Sequence, residues 1–139
     1  MTIRLLLVDD HRMMREGLRA LLKEHAELAV VGEAEDGREA IEKARELRPD
    51  IVVMDLAMGE LNGIDATRQL RAELPHVGVV ALSTYTRDDY VLRVLEAGAA
   101  AYVTKISAHE ELVEAIRAVA RGRRFLSPEV TGAVVEAGI

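Results

Sequence analysis

The chain has 139 residues, is 50% hydrophobic, carries a formal net charge of −6 and contains no cysteine. These figures exclude a disulfide framework, a cysteine nucleophile or metal site, and a nucleic-acid surface covering the whole chain. They leave a single domain, its core made of Leu, Val, Ile, Ala and Met because aromatics are only 3%.

Ile3–Val8, "IRLLLV", reads as a first strand. Asp9 and Asp10 end it too early for a signal peptide, and no later run reaches the roughly 18 apolar residues of a membrane span. A cytoplasmic chain without membrane contact is the expectation. Met14, Leu18, Leu21 and Leu22 then recur at helical spacing, with Arg15, Arg19 and Lys23 between them. Leu28–Ala34 is a second strand, and Gly37–Leu47 a helix that Pro49 closes by lacking an amide proton.

The alternation continues. Ile51–Asp55, "IVVMD", is the third strand, and Ile64, Thr67, Leu70 and Leu74 mark a helix ending at Pro75. Val77–Ser83 is the fourth strand, followed by a helix through Val91, Val94 and Leu95. Ala100–Thr104 is the fifth, followed by a helix through Leu112, Ile116 and Val119, and "VTGAVVEAGI" starts one more helical pattern. Strands alternating with helices predict a doubly wound α/β fold: five parallel strands, right-handed crossovers, and five helices on the two faces. Near-continuous apolar strands agree, since both faces of such a sheet are covered.

In this architecture polar sites gather beyond the carboxyl ends of the strands. Those ends carry Asp9 and Asp10, Asp55, Ser83, and Thr104 with Lys105. Three converging carboxylates repel unless a cation joins them, and magnesium, which takes oxygen ligands and keeps positions for water or phosphate, suits them. A carboxylate oxygen can attack phosphorus, while Lys105 and Ser83 hold phosphoryl oxygens by charge and by hydrogen bond.

The sequence resembles the receiver domain of bacterial two-component response regulators along essentially its whole length. "LVDDH", "LSTY" and "GAAAYVTK" resemble the NarL/FixJ subfamily, whose output is a LuxR-type helix-turn-helix. The resemblance implies the flavodoxin-like strand order 2-1-3-4-5. It implies Asp55 as phospho-acceptor, with Ser83 and Lys105 at the phosphoryl group. It places Mg²⁺, with Mn²⁺ as a substitute, on Asp10, Asp55 and the Ala57 backbone carbonyl, with Asp9 close by through water. Tyr102 would be the switch aromatic, while Ala57 and Tyr85 would flank the path of a hydrolytic water and tune the phosphorylated lifetime. The implied partners are a sensor histidine kinase and a second copy of the chain on phosphorylation. Residues 1–122 would be the receiver and 123–139 the start of an interdomain linker or C-terminal helix. DNA would be reached only through a helix-turn-helix domain not present here.

Bland readings compete at single positions. A lone Asp55 would be a solvated strand cap, and Asp10 is also a favoured helix N-cap. Tyr102 reads equally as a core-edge aromatic. His11, His25, His76 and His109 are scattered and read as surface residues, with His11 following the acidic pair and placed to modulate it. Arg121, Arg123 and Arg124 suit a helix C-terminus better than nucleic acid. Two departures stand beside the site: Gly59 replaces the usual proline, and Ile106 follows Lys105, leaving that peptide's isomer open.

Two other function classes remain. A phosphohydrolase would need a nucleophile and an acid/base aspartate two residues apart, but Asp9 and Asp10 are adjacent and Asp55 precedes Leu56-Ala57. A binding module that keeps only the fold would have no use for Asp10, Asp55, Ser83 and Lys105 together. The expectation is therefore a phosphorylation-activated switch, not an enzyme, serving transcription control in a longer protein.

Overall fold

The computed structural model describes residues 1–57, 62–132 and 134. β1 (Ile3–Val8), β2 (Leu28–Ala34), β3 (Ile51–Asp55), β4 (Gly78–Ser83) and β5 (Ala101–Thr104) alternate with five helices. These are α1 (Arg12–Lys23), α2 (Gly37–Leu47), α3 (Gly63–Glu73), α4 (Asp88–Glu96) and α5 (Ala108–Ala120). All pairings are parallel, in the order β2-β1-β3-β4-β5 with one addition at the edge.

The addition is β6, Phe125–Leu126, which extends the expected five strands to six by pairing with Ala101 and Tyr102. Two apolar residues between arginines and Ser127-Pro128 carry no readable periodicity, so only tertiary pairing reveals them as a strand. They cover the edge of β5, which would otherwise present unpaired backbone groups. Ser127, fully buried, fastens this segment: its Oγ accepts from the Thr104 amide at 3.0 Å and donates to Glu111. Ser127→Ala should cost about 1–3 kcal/mol in urea unfolding, because the Thr104 amide loses its acceptor in the interior. An unchanged midpoint would rule that out.

Each apolar strand is divided by its period of two between two cores. Leu5, Leu7, Val53 and Leu82 meet Leu18 and Leu22 of α1 and Leu112 and Ile116 of α5. Leu6, Val8, Met54 and Tyr102 join the core on the other face, with Ile41 of α2, Leu70 of α3 and Val94 of α4. Fully burying one such leucine contributes roughly 1.5–3 kcal/mol, so the strand ends that carry the polar residues are rigidly held.

One irregularity bears on those ends. Leu5 pairs with Val30 but Leu6 pairs with Gly32, so Val31 is an extra residue, a β-bulge. Past the bulge the faces of β2 are exchanged, and Glu33, opposite Leu7, points to the α1 side. Arg15 reaches it there. Arg15, which the sequence pattern puts among the polar positions of α1, is only 8% exposed.

Helix ends follow local chemistry. Asp36 caps α2 by accepting from Glu39 N, and Asn62 caps α3 by accepting from Ile64 N and Asp65 N. The α1 cap is His11, not Asp10, so the capping alternative for Asp10 is not realised. The Lys105–Ile106 peptide is trans. Gly59 and most of the C-terminal helical pattern lie outside the described residues.

Candidate functional site

Because β1, β3, β4 and β5 run parallel, their carboxyl ends open on one edge, and the polar residues that end them meet there. Asp9, Asp10, His11 and Asp55 each bring a ligand-type atom within 4.8 Å of the others. Lys105, in a 3₁₀ turn after β5, reaches across with its Nζ 2.9 Å from Asp55 Oδ1.

Asp55 is fully buried. Its Oδ1 accepts from Lys105 and from the Ala57 amide at 3.1 Å, while Oδ2 has no partner among the described residues. Burial pushes the carboxyl above the usual aspartate range, with Asp9 adding to the rise, although Lys105 and the Ala57 amide pull the other way. Asp9 is nearly as buried, and its Oδ1 accepts from His11 N at 2.8 Å while Oδ2 has no partner among the described residues. Asp10 stands at the rim, 40% exposed and 2.8 Å from His11 Nδ1.

Two orphaned carboxylate oxygens in the interior, in a set of three aspartates faced by one lysine, are costly without a cation. The carboxylate donors are oxygens and Asp10 reaches the surface, which fits a hard divalent ion such as magnesium. The residues present therefore suit the group that the sequence implies.

The remaining predicted residues stand on β4, on β5 and in the segments that follow β3 and β4. Ser83 ends β4, 2% exposed, with its Oγ accepting from the Tyr85 amide at 3.0 Å. Tyr102 is fully buried, its hydroxyl donating to the Tyr85 carbonyl at 2.7 Å, and burial lifts its pKa to about 12. The Tyr85 ring is 50% exposed and packs edge-on against Tyr90 at 5.0 Å. Ala57 is exposed beside Asp55. His11 joins the acidic cluster, whereas His25 sits half-buried against Arg117. His76 and His109 are exposed.

Sequence reasoning missed Arg15. Its guanidinium donates from Nη1 to the Asp9 carbonyl at 2.6 Å and from Nε to Glu33 at 2.9 Å. Glu33 also pairs with Arg19, and although burial alone would raise its pKa, the two guanidiniums hold it below the usual range. The missed signal was the bulge, since an unbulged β2 would turn Glu33 away from α1.

Residues 5–117 match the response regulator receiver domain family. The chain belongs to that family. This receiver is 41% identical over 130 residues to the response regulator protein VraR of Staphylococcus aureus, covering 94% of this chain but 62% of VraR. It thus spans less than two thirds of the curated relatives it matches. A two-component response regulator of the LuxR family from Aurantimonas sp. SI85-9A1 superposes with a TM-score of 0.93 at 42% identity, each chain covered to 99%. The receiver domain of the putative response regulator NarL from Mycobacterium tuberculosis gives 0.84 at 31% identity, over 88% of this receiver and 98% of that chain. No helix among the described residues of the receiver is long and apolar enough to cross a membrane.

Proposed function

We propose that this receiver is a phosphorylation switch in which Asp55 accepts a phosphoryl group from a phosphohistidine of a sensor kinase. The observation that carries the reading is the buried Asp55 with one oxygen held by Lys105 and the other without a partner among the described residues, in a three-aspartate cluster. Asp10, Asp55 and the Ala57 carbonyl would hold Mg²⁺, with Asp9 acting through water. The ion supplies charge neutralisation for the phosphoryl oxygens.

The chain's own groups do the rest. A carboxylate oxygen of Asp55 forms the new bond to phosphorus as the phosphorus–nitrogen bond breaks, and the leaving imidazole takes up a proton. Lys105 holds one phosphoryl oxygen by charge, and Ser83 turns its hydroxyl toward another. Drawing Ser83 inward removes the acceptor of the Tyr85 amide, and Tyr85 also receives the Tyr102 hydroxyl. The loop after β4 and the face of α4, β5 and α5 would therefore shift in population between two conformers. Homodimerisation and contact with an output domain are the readouts we assign to that face. The likeness to VraR, which is longer than this receiver, and to a LuxR-family response regulator supports transcription control in a longer protein, with residues 123–139 leading toward its output domain.

Intact-mass measurement after incubation with a small phosphodonor and Mg²⁺ tests the reading. One phosphoryl group should be gained, and no gain on the wild-type chain would sink the proposal. Turnover of an external phosphate ester would instead favour a hydrolase.

Tyr85 should also set how long the modification lasts. Its amide donates to Ser83 at the end of β4 and its ring packs against Tyr90, which supports assigning it a role in shielding Asp55 from water. Tyr85→Ala should shorten the phosphorylated lifetime severalfold in a mass-resolved decay, and an identical decay rate would refute the shielding.

A further inference from the structure

We propose that Arg15 is a positioning residue for divalent-ion binding, held in place by the bulge in β2. This rests on reading the acidic cluster as a magnesium site. The argument begins with the turn between β1 and α1, which carries Asp9 and Asp10. Inside, this turn is closed by the His11 amide donating to Asp9 Oδ1. Outside, Arg15 clamps its backbone through the Asp9 carbonyl at 2.6 Å.

Arg15 would not hold this position by itself, because a long cationic side chain loses rotamer freedom and hydration when buried. Its Nε is fixed by Glu33, which is fixed in turn by Arg19 at 2.6 Å, and the Glu33 carbonyl accepts from Lys43 of α2 at 2.6 Å. Glu33 is available to α1 only because Val31 is extra in the β2 register. The bulge thus sets the face of Glu33, Glu33 sets the fork of Arg15, and Arg15 sets the turn that bears two of the three aspartates. Groups that orient ligands without touching the ion govern affinity strongly, typically by 10–100-fold on removal.

Arg19 provides the contrast. It shares Glu33 with Arg15 but makes no hydrogen bond to the acidic turn. A role confined to general stability predicts similar behaviour for both arginines. A positioning role predicts different behaviour.

Calorimetric titration of the whole chain with magnesium chloride separates them, alongside the melting temperature in chelator. Arg15→Lys retains the charge and most of the stem but lacks a fork able to span Asp9 and Glu33. It should fold and bind Mg²⁺ about 10–100-fold more weakly. Arg19→Ala loosens Glu33 but leaves the Arg15 contact to the Asp9 carbonyl in place, so it should weaken binding far less than Arg15→Lys, even if its melting temperature falls as far. Glu33→Gln, whose amide oxygen still accepts from Arg15, should weaken binding less than Arg15→Lys. Phosphoryl uptake by Arg15→Lys should recover at saturating Mg²⁺. Wild-type affinity in Arg15→Lys, or an equal loss in Arg19→Ala, would overturn this inference alone. Absence of Mg²⁺ binding by the wild-type chain would overturn the site reading along with it.

Discussion

Asp55→Asn should abolish phosphoryl uptake and, in the absence of metal, stabilise the fold by about 1 kcal/mol. The first effect follows because an amide is not a nucleophile toward phosphorus and no other carboxylate in the cluster is opposed by Lys105. The second follows from the cost of a buried charge with an orphaned oxygen beside Asp9. The folded-state pKa of Asp55 is raised, so its contribution to stability is fully present below the ordinary aspartate value. That contribution is lost as pH rises through the folded-state value. The advantage of the Asn variant over the wild type should therefore grow upward from the ordinary carboxylate range and then level off. Magnesium should reverse the order, since binding at a hundred times the dissociation constant adds about 2.7 kcal/mol to the wild type and little to the variant. Urea unfolding in chelator and in Mg²⁺ checks the stability effects, and intact mass checks the uptake. A phosphorylated Asn variant, or a wild type indifferent to magnesium, would refute this account.

Gly63→Ala should be the most damaging small substitution near the site. A Cβ on Gly63 would lie 2.6 Å from the Asp55 carbonyl oxygen and 2.6 Å from Leu56 Cα, both backbone atoms that no rotamer change can move. The first residue of α3 is thus pressed against the chain that leaves β3. Relieving the overlap costs about 1–3 kcal/mol and displaces Asp55 relative to Lys105 and the acidic turn. Misplacement of that kind should slow phosphoryl uptake at least roughly tenfold. Gly17→Ala supplies the control: beyond the adjacent backbone of its own helix, no described residue lies within 4 Å of its Cβ, and in the interior of α1 it should stabilise by about 0.5–1 kcal/mol without altering uptake. If Gly63→Ala unfolds and phosphorylates like the wild type, the close contact has no functional weight.

Asn62-Gly63 marks the boundary between what local sequence determines and what it does not. From the sequence, the pair reads as a turn into a helix, and Asn62 does cap α3. That Gly63 must lack a side chain depends on β3 arriving beneath it, a contact made by the fold.

The alternation of strands and helices is legible in the residues alone, because periodicity, proline stops and caps act within a few residues along the chain. So is the identity of the residues that end the strands, and a parallel sheet obliges those ends to share an edge. Asp9, Asp10, Asp55, Ser83 and Lys105 were therefore identifiable as a group before any contact was known. How they are held depends on contacts between segments distant in the chain. The extra residue in β2 reverses the face of Glu33, and a one-residue shift leaves no mark on hydrophobic pattern. Arg15 accordingly resembles any other charged residue on an amphipathic helix until Glu33 and the Asp9 carbonyl are placed around it. The two-residue β6 and the buried Ser127 are likewise decided by pairing with β5, since so short a segment has no period of its own.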